Sequence, residues 1–198
     1  MVDQLQRYGI FSSKRVAEVM EKVDKGLFVP DDTPPYIDSP MTIGYNAIIS
    51  APHMQAVCLQ LLQDHLLPAL DVGSAAPLAG VEHIPELASL SSASNIEKSE
   101  ADSYLEKGSL SFHVGDGRQG WPEFAPYDAI HVGAAAKEIP QPLIHQLKSG
   151  GRMVIPVGEI FQDLNLIDKN LDGTTSVWDE TAVRYVPLTS RDAQLRGR

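Results

Sequence analysis

The apolar positions divide the chain into an N-terminal helical part and a later part built from short apolar runs. Apolar residues at helical spacing predict an amphipathic helix from about Ser13 to Asp24. Its predicted apolar face consists of Val16, Val19, Met20 and Val23. A second helix is predicted from Pro52 to about Leu66, with the proline in its first turn. Between the two helices, FVPDDTPPYIDSP contains four prolines, which predicts an extended strap across the core.

The second part of the chain alternates apolar runs with glycine. The stretches LSFHVGDGR, YDAIHVGAAA and GGRMVIPVG each predict a strand buried on both faces. PQPLIHQLK, between the last two, predicts a short helix that the pair Gly150 and Gly151 ends. LNLIDKN and the sequence after it predict a hairpin with DG as its turn. Strands that alternate with helices predict an α/β sheet, with a ligand site at the carboxyl ends of its strands.

Composition narrows the class of protein. The 198 residues predict one domain, 1–198, whose N-terminal helical and strap region extends to about residue 66. A net charge of -10 argues against nucleic acid or an anionic membrane as the main partner, because both need a concentrated positive field. We see no signal peptide or membrane-spanning run and no metal-ligand spacing among the histidines, and the single cysteine, Cys58, reads as a buried thiol. We therefore expect a cytoplasmic protein and a monomer.

One stretch stands out because it carries no charge. Residues 39–63 contain no Asp, Glu, Lys or Arg, although about five would be expected at 21% charged composition. Within it, AIISAPHM places Ser50 just before the predicted helix. The serine is either a helix cap or part of a functional site. A Ser/His nucleophile with His53 is disfavoured, because no GxSxG elbow and no third, acidic member can be identified.

Three acidic residues follow predicted strands. Asp71 in ALDVGS ends a strand before a glycine, Glu82 in GVEH ends another, and Asp116 lies in GDGR. A carboxylate at a strand end can accept two hydrogen bonds from a ribose diol, and one beside glycine can accept from an adenine amino group. Each carboxylate also has a purely structural interpretation: Asp71 as part of a capping turn, Glu82 as a solvated acid and Asp116 as part of an Asp-Gly turn. Local sequence leaves both readings open.

Eight motifs taken together resemble the protein-L-isoaspartate O-methyltransferase family, and its plant members most. They occur here in the family's order: YIDSP, IGYNAIISAPHM, ALDVGS, GVEHIPEL, GDGR, YDAIHVGAAA, LKSGGRMVIPVG and RYVPLT. The resemblance implies an open, mostly parallel sheet with helices on both faces. It also implies an enzyme that methylates the α-carboxylate of L-isoaspartyl residues in damaged proteins and peptides, with S-adenosyl-L-methionine as the methyl donor.

The resemblance assigns site residues one by one. Ser50 would serve the methyl-transfer centre. The residues implied to bind the cofactor are Ala47, Ile48, Ile49, Ser50, Gln55, Asp71, Glu82, His83, Asp116, Gly117, Thr189 and Gln194. Two of these depart from the family, which usually has Thr at the place of Ile48 and His at the place of Gln55. A metal ion is not implied.

The connection after ALDVGS also departs from the family, which continues there into a glycine-rich loop and a helix. In this chain only AAPLA, residues 75–79, lies between Ser74 and Gly80. About fifteen residues, including one crossover helix, are therefore missing relative to the family and the usual βαβ length. Five or six residues cannot form a helical crossover, and at full extension they span only about 20 Å, which barely reaches the next strand.

Two functions remain for such a chain. The first is the repair methyltransferase, with cofactor binding weakened by loss of the glycine loop. The alternative is a catalytically inactive isoform that binds isoaspartyl peptides or a partner protein. A nicotinamide-dinucleotide enzyme is disfavoured, because no GxGxxG follows a predicted strand.

Overall fold

The structure is a computed structural model that describes residues 1–65, 69–72, 79–89 and 111–197, with the backbone alone given for 69–72. The helix predicted from Pro52 to about Leu66 ends at Leu62 and is followed by a 3-10 turn at Gln63–His65, and Leu66 lies outside the described residues. Among the described residues, no helix is long and apolar enough to cross a membrane.

Three helices and a small hairpin form the N-terminal part. They are α1 (Val2–Arg7), α2 (Lys14–Lys22), β1 (Met41–Gly44), β2 (Ala47–Ile49) and α3 (Pro52–Leu62), with a 3-10 turn at Lys25–Phe28. Ser13 caps α2 by accepting a hydrogen bond from the backbone N–H of Val16, which explains the helix start. The predicted apolar face of α2 is wrong at Val19 and Val23, which are 44% and 39% exposed, because the helix packs through Val16 and Ala17 and ends at Lys22.

The proline-rich segment has no regular strand or helix after the 3-10 turn, as predicted. Asp38 ties it to α3, since one carboxylate oxygen accepts from the backbone N–H of His53 and lies 2.8 Å from Nδ1 of its ring. Lys25 is buried, and its Nζ donates to the carbonyl of Ser39. Burial lowers the pKa of Lys25, while the nearby Asp38 carboxylate opposes that effect. The strap is thus fixed against the start of α3.

In the described part of the chain, seven strands form the main sheet, in the order β5-β4-β3-β6-β7-β8-β9. Their bounds are β3 Ala69–Val72, β4 Ala79–Glu82, β5 Ser111–Val114, β6 Tyr127–Val132, β7 Leu147–Val157, β8 Gln162–Lys169 and β9 Thr175–Val183. Strands β3 to β7 pair in parallel, whereas β8 and β9 are added antiparallel. The open, mostly parallel sheet predicted from the sequence is therefore confirmed, and so is the β8–β9 hairpin with its positive φ at Gly173.

Side chains alternate between the two faces of the central strands, and each face carries a helix. On one face, Cys58 and Leu62 of α3 pack against Ala129, Val154 and residues of β8. On the other, a cluster around Ile130 and Met153 packs against α5 (Gln141–Gln146). Helices on both faces are thus confirmed. The other described helices are α4 (Pro85–Ser89) and α6 (Arg191–Leu195).

The glycine pair predicted to end α5 has a different role. The helix ends at Gln146, and Gly150 and Gly151 lie inside β7. A Cβ on Gly151 would lie 2.8 Å from the carbonyl oxygen of Asp128, so glycine lets β7 approach β6 at the place where their pairing shifts register. The pattern of a helix followed by two glycines did not distinguish a helix stop from an irregular strand start.

Strands β3 and β4 lie side by side and parallel, although only residues 73–78, here termed the short connection, join them. Leu70 pairs with Ala79 and Val72 with Val81, so β4 begins beside a residue only two positions before the end of β3. The chain must return about 7 Å along the strand and about 5 Å sideways. Six residues reach about 20 Å, so the expectation that they barely span the gap is wrong for strands this short.

Candidate functional site

A cleft of about 300 Å³ lies at the carboxyl ends of the parallel strands. Three regions form it: the turn of the β1–β2 hairpin, the residues that end or follow β4, β5 and β6, and the segment after β9. The lining residues are Asn46, Ala47, Ile48, Val81, Glu82, His83, Gly117, Gly133, Ala134, Val186, Pro187, Leu188, Thr189, Gln194 and Gly197. The sheet therefore presents a ligand-sized space where an α/β fold is expected to bind.

The end of β4 supplies the acidic wall of the cleft. Glu82 is the last residue of the strand, and its Oε1 accepts a hydrogen bond from the backbone N–H of Ile84 at 2.8 Å. This bond fixes the carboxylate beside the cleft, because Ile84 is fully buried. Nε2 of His83 lies 3.9 Å from the same carboxylate oxygen and 2.8 Å from Oε1 of Gln194. The strand end is thus joined to the C-terminal helix α6.

The β1–β2 turn also contacts α6. Tyr45 and Asn46 both have positive φ, which is the backbone of a tight hairpin turn. The amide of Asn46 donates to the carbonyl of Gln194 at 2.9 Å, and Nε2 of Gln194 donates to the carbonyl of Tyr45 at 3.2 Å. Gln194 therefore connects the N-terminal hairpin, the end of β4 and α6 across one side of the cleft.

The segment after β9 is held to the loop after β6 by backbone hydrogen bonds. The N–H of Ala135 donates to the carbonyl of Val186 at 2.8 Å, and the N–H of Leu188 donates to the carbonyl of Ala135 at 2.7 Å. This strand-like pairing places Pro187 and Thr189 beside Gly133 and Ala134 in the cleft wall. The C-terminal segment, including Thr189 and Gln194, therefore forms part of the cleft wall.

Asp116 lies next to the cleft and is engaged locally. Its carboxylate accepts from Nε and Nη2 of Arg118, the latter at 2.6 Å, and from the backbone N–H of the same arginine. The side-chain hydrogen bonds to Arg118 lower the pKa of Asp116, although partial burial opposes them, and His83 adds a smaller favourable interaction. GDGR therefore forms the Asp-Gly turn that was one of its two interpretations. Gly117, the residue after Asp116, lines the cleft.

Ser50 lies at the start of α3, two residues beyond cleft-lining Ile48. Burial raises the pKa of Tyr185 above its ordinary range; Cys58 adds to this effect, and Ser50 opposes it. The cap of α3 is Ala51, whose side chain cannot accept a hydrogen bond, so the cap reading of Ser50 is wrong.

Seven of the sequence-assigned residues meet in the cleft, and the others fall into two groups. Those in the cleft are Ala47, Ile48, Glu82, His83, Gly117, Thr189 and Gln194. Ile49, Ser50, Gln55 and Asp116 are described but do not belong to its lining. The side chain of Asp71 lies outside the described part of the chain, where only the pairing of its backbone with Gly80 and His131 is given.

Several lining residues were not assigned from the sequence. Gly133 and Ala134 follow β6 directly, and the glycine after an apolar run was the signal that could have found them. Val186, Pro187 and Leu188 lie in the RYVPLT motif, from which only Thr189 was assigned. Asn46 and Gly197 join the cleft because hairpin and C-terminus fold against each other, and no local pattern indicates that contact.

Comparison with known proteins places these features in a family. A sequence model described as protein-L-isoaspartate(D-aspartate) O-methyltransferase matches residues 1–78 and 72–193. The match is divided at 72–78, which coincides with the short connection. The fold is similar to that of a Plasmodium falciparum chain, described as a protein-L-isoaspartate O-methyltransferase in complex with S-adenosyl-L-homocysteine. The TM-score is 0.85 at 29% identity, over 95% of this chain and 96% of that one.

Curated relatives carry the same description. Protein-L-isoaspartate O-methyltransferase 1 from Arabidopsis thaliana is 61% identical over 100% of this chain and 93% of its own length. The wheat enzyme is 58% identical over 99% and 93%. The Arabidopsis alignment has 215 positions and this chain 198 residues, so at 17 positions only the relative has a residue. That number agrees with the estimate of about fifteen missing residues. The chain belongs to the protein-L-isoaspartate(D-aspartate) O-methyltransferase family.

Proposed function

We propose that this chain is a single-domain methyltransferase that transfers a methyl group from S-adenosyl-L-methionine to the α-carboxylate of L-isoaspartyl residues in damaged proteins. One observation carries the proposal: the cleft at the carboxyl edge brings together Glu82, His83, Gly117, Thr189 and Gln194, which the family pattern assigns to one cofactor site. These residues come from three distant parts of the sequence: 82–83, 117 and 189–194. Their convergence supports a common ligand.

The cleft suits the nucleoside part of the cofactor. Glu82 is held at its edge by the N–H of Ile84, so its carboxylate is oriented for hydrogen bonds from a ribose diol. Gly117 has no side chain, which lets a planar base come close to the backbone beside it. Asp116 would serve an adenine amino group only with an oxygen that Arg118 leaves accessible, so its assigned role depends on a shift of that ion pair.

The bound cofactor would supply an electrophilic methyl group on a sulfonium. A new carbon–oxygen bond forms as the carbon–sulfur bond breaks; the electron pair stays on sulfur, giving a thioether and a methyl ester. The isoaspartyl carboxylate, with a pKa near 4, is already ionised, so no side chain needs to remove a proton. The protein must instead orient the carboxylate and exclude water.

The uncharged segment 47–50 suits that orienting role. Ala47 and Ile48 line the cleft, and Ile49 and Ser50 follow directly, with no like charge to repel a carboxylate. Ser50 can donate one hydrogen bond to a carboxylate oxygen. Gln55 lies in the first turns of α3, where histidine is usual in the family, and we assign it a supporting contact beside this segment.

The short connection weakens cofactor binding in this proposal. The glycine-rich loop that follows the first strand in the family would bring backbone N–H groups to the methionine part of the cofactor. The chain lacks about that length at 73–78, although the flanking strands keep their parallel pairing. Asp71 is assigned to the same corner of the site. We therefore infer a site whose nucleoside half is kept and whose methionine half is reduced.

The same observation supports a second candidate, an inactive isoform that binds isoaspartyl peptides or a partner protein. One experiment separates the two: the protein is incubated with a labelled methyl donor and an isoaspartyl peptide, with the matching aspartyl peptide as control. Methyl ester formed on the isoaspartyl peptide alone supports the enzyme. Peptide binding without turnover supports the isoform, and absence of both contradicts the enzyme and the peptide-binding form of the isoform.

The net charge of the chain bears on which partners the protein can bind. With a net charge of -10, the protein lacks the positive field that nucleic acid or an anionic membrane would require. We propose a cytoplasmic monomer whose partners are isoaspartyl-containing proteins and peptides. Sedimentation of the purified protein tests the oligomeric state, and a stable dimer would contradict it.

A further inference from the structure

The three most exposed large apolar side chains of the described residues lie in two turns at opposite edges of the sheet. Ile160 and Phe161, each 89% exposed, belong to the turn 158–161 between β7 and β8, here termed the β7–β8 tip. Leu171, 87% exposed, lies in the turn between β8 and β9, where its Cδ2 is 3.6 Å from the position of a Cβ on Gly150 near the start of β7. The β7–β8 tip instead follows the carboxyl end of β7. Of the two turns, only the β7–β8 tip therefore shares an edge with the cleft.

The start of the β7–β8 tip is fixed to the loop after β6. The N–H of Gly158 donates to the carbonyl of Ala136 at 2.8 Å, two residues beyond cleft-lining Ala134. A Cβ on Gly158 would collide with the carbonyl oxygen of Phe161, so glycine lets the turn close on itself. The tip is thus a tight turn held beside the loop that forms part of the cleft wall.

The end of the β7–β8 tip is fixed to the segment after β9. Gln162 follows the tip directly and is only 8% exposed. Its Oε1 accepts from the N–H of Tyr185 at 2.6 Å, and its Nε2 lies within hydrogen-bond distance of the carbonyls of Tyr185 and Glu159. The next residue, Val186, lines the cleft. Both ends of the tip are therefore tied to cleft-forming segments, and its two apolar side chains project from a fixed backbone.

The distance from the cleft suits the chain that leads into it. One strand spacing of about 5 Å separates Gln162 from Tyr185, and one residue on each side adds about 3.3 Å, so Phe161 lies about 12 Å from Val186 along this path. An extended peptide covers that distance in about four residues. A polypeptide with its isoaspartyl residue in the cleft therefore brings its flanking residues to the tip.

The size of the apolar surface favours a peptide over a second copy of the chain. An aromatic side chain buries about 150–250 Å², so the pair offers less than about 500 Å². A stable protein–protein interface needs about 800 Å² from each partner. The net charge of -10 also argues against an anionic membrane. A small apolar surface that is already rigid suits one or two side chains of a peptide, because little ordering is required on binding.

We propose that the β7–β8 tip binds an apolar side chain of the acceptor polypeptide, located up to about four residues from the isoaspartyl residue; this inference rests on the proposed function. The tip does not touch the reacting atoms, so its contact contributes equally before and during methyl transfer and acts on KM rather than on kcat. Apolar side chains are mostly buried in folded proteins. The tip thus favours isoaspartyl sites whose apolar neighbours have become exposed, as in locally unfolded segments.

Two isoaspartyl peptides of equal length test the proposal, one with leucines and one with serines at the second to fourth positions on each side of the isoaspartyl residue. We expect the protein to bind the leucine peptide about tenfold more tightly in fluorescence anisotropy. The double variant Ile160→Ser with Phe161→Ser should bind both peptides alike, with S-adenosyl-L-methionine affinity and melting temperature unchanged. The matched control is Leu171→Ser, which removes an equally exposed side chain at the opposite edge and should keep the tenfold preference.

Three results would overturn the inference. The first is equal affinity of the wild-type protein for the two peptides, and the second is a tenfold preference that persists in the double variant. The third is a different occupant of the tip: a dimer in sedimentation, or binding to phosphatidylcholine vesicles, that the double variant loses and Leu171→Ser keeps.

The wild-type protein also decides which claim has failed. If it binds both isoaspartyl peptides equally well and neither matching aspartyl peptide, the inference is wrong while the proposed function stands. If it neither binds nor methylates either isoaspartyl peptide, the proposed function is wrong, and the inference fails with it.

Discussion

The two halves of the sheet differ in strand length and burial. Strands β3, β4 and β5 have four residues each, whereas β6, β7 and β8 have six, eleven and eight. Ile130, Met153, Ile155 and Ile167 in the long-stranded half are fully buried. The long-stranded half carries the helices α3 and α5, and the short-stranded half carries Glu82, His83 and the short connection. The larger part of the buried core therefore lies in the long-stranded half, and the acidic wall of the cleft lies in the short-stranded half.

This difference explains how the chain can lose a crossover helix and keep its fold. A parallel pair of four-residue strands needs only a short return, and most of the buried core, apart from residues such as Ala79 and Val81, lies in the other half. The loss falls instead on the site, because the carboxyl end of β3 is where the missing loop would begin. Function is thus expected to be more sensitive than folding to the short connection.

The largest effect should come from a matched pair of core substitutions, Ile155→Ala in β7 and Ile84→Ala after β4. Both isoleucines are fully buried. We expect Ile155→Ala to lower the free energy of unfolding by about 4 kcal/mol and Ile84→Ala by about 2 kcal/mol, because the short-stranded half can close around a cavity more easily. Urea denaturation measures both. Equal decreases in the free energy of unfolding would contradict the expected difference between the two halves of the sheet.

Restoring the missing segment should have the next largest effect. Replacing 75–79 with the corresponding segment of the Arabidopsis thaliana relative, whose whole alignment is 17 positions longer than this chain, should tighten S-adenosyl-L-methionine binding by about a hundredfold, or about 2.7 kcal/mol. The reason is the return of backbone N–H donors for the methionine part. Titration calorimetry measures the affinity for S-adenosyl-L-methionine, with a Gly/Ser insert of the same length as control. Micromolar affinity of the unaltered chain would contradict this prediction.

Gly80 tests how closely β4 and β5 must approach. A Cβ at this position would lie 2.7 Å from the ring of Phe112 across the pair. Gly80→Ala should therefore destabilise the protein by about 1–2 kcal/mol through overpacking. Thermal unfolding checks this, and the double variant with Phe112→Leu should recover part of the loss. No change in melting temperature would show that the short-stranded half adapts freely.

The smallest effect concerns pH. Arg118 is the main cause of the lowered pKa of Asp116, whose ordinary value is 3.8. The pair therefore stabilises the folded protein above about pH 4, and this contribution is lost as pH falls through the lowered pKa. Both side chains are more than one-third exposed, so Arg118→Gln should cost less than about 1 kcal/mol at pH 7.

Melting curves of the wild-type protein and Arg118→Gln between pH 7 and pH 3 measure this effect. The difference in melting temperature should shrink on acidification, because both proteins then carry a protonated Asp116. A difference that stays constant down to pH 3 would assign the effect to packing of the arginine instead.

Much of the fold could be predicted from local pattern, and the exceptions share a cause. The strands in YDAIHVGAAA and GGRMVIPVG and the helix from Pro52 were predicted because continuous apolar runs and a proline in the first turn are local signals. The exposed Val19 and the glycines inside β7 were not, because each depends on which neighbour the element meets.

The sequence by itself determined the family, the acid at the end of β4 and the shortened length between the two strands. Eight ordered motifs and a count of residues are enough for those. Only the tertiary structure decided that six residues suffice between β3 and β4, because the length of a return depends on strand register. It also decided that Gln194 meets His83, since that contact joins residues 111 positions apart in the chain.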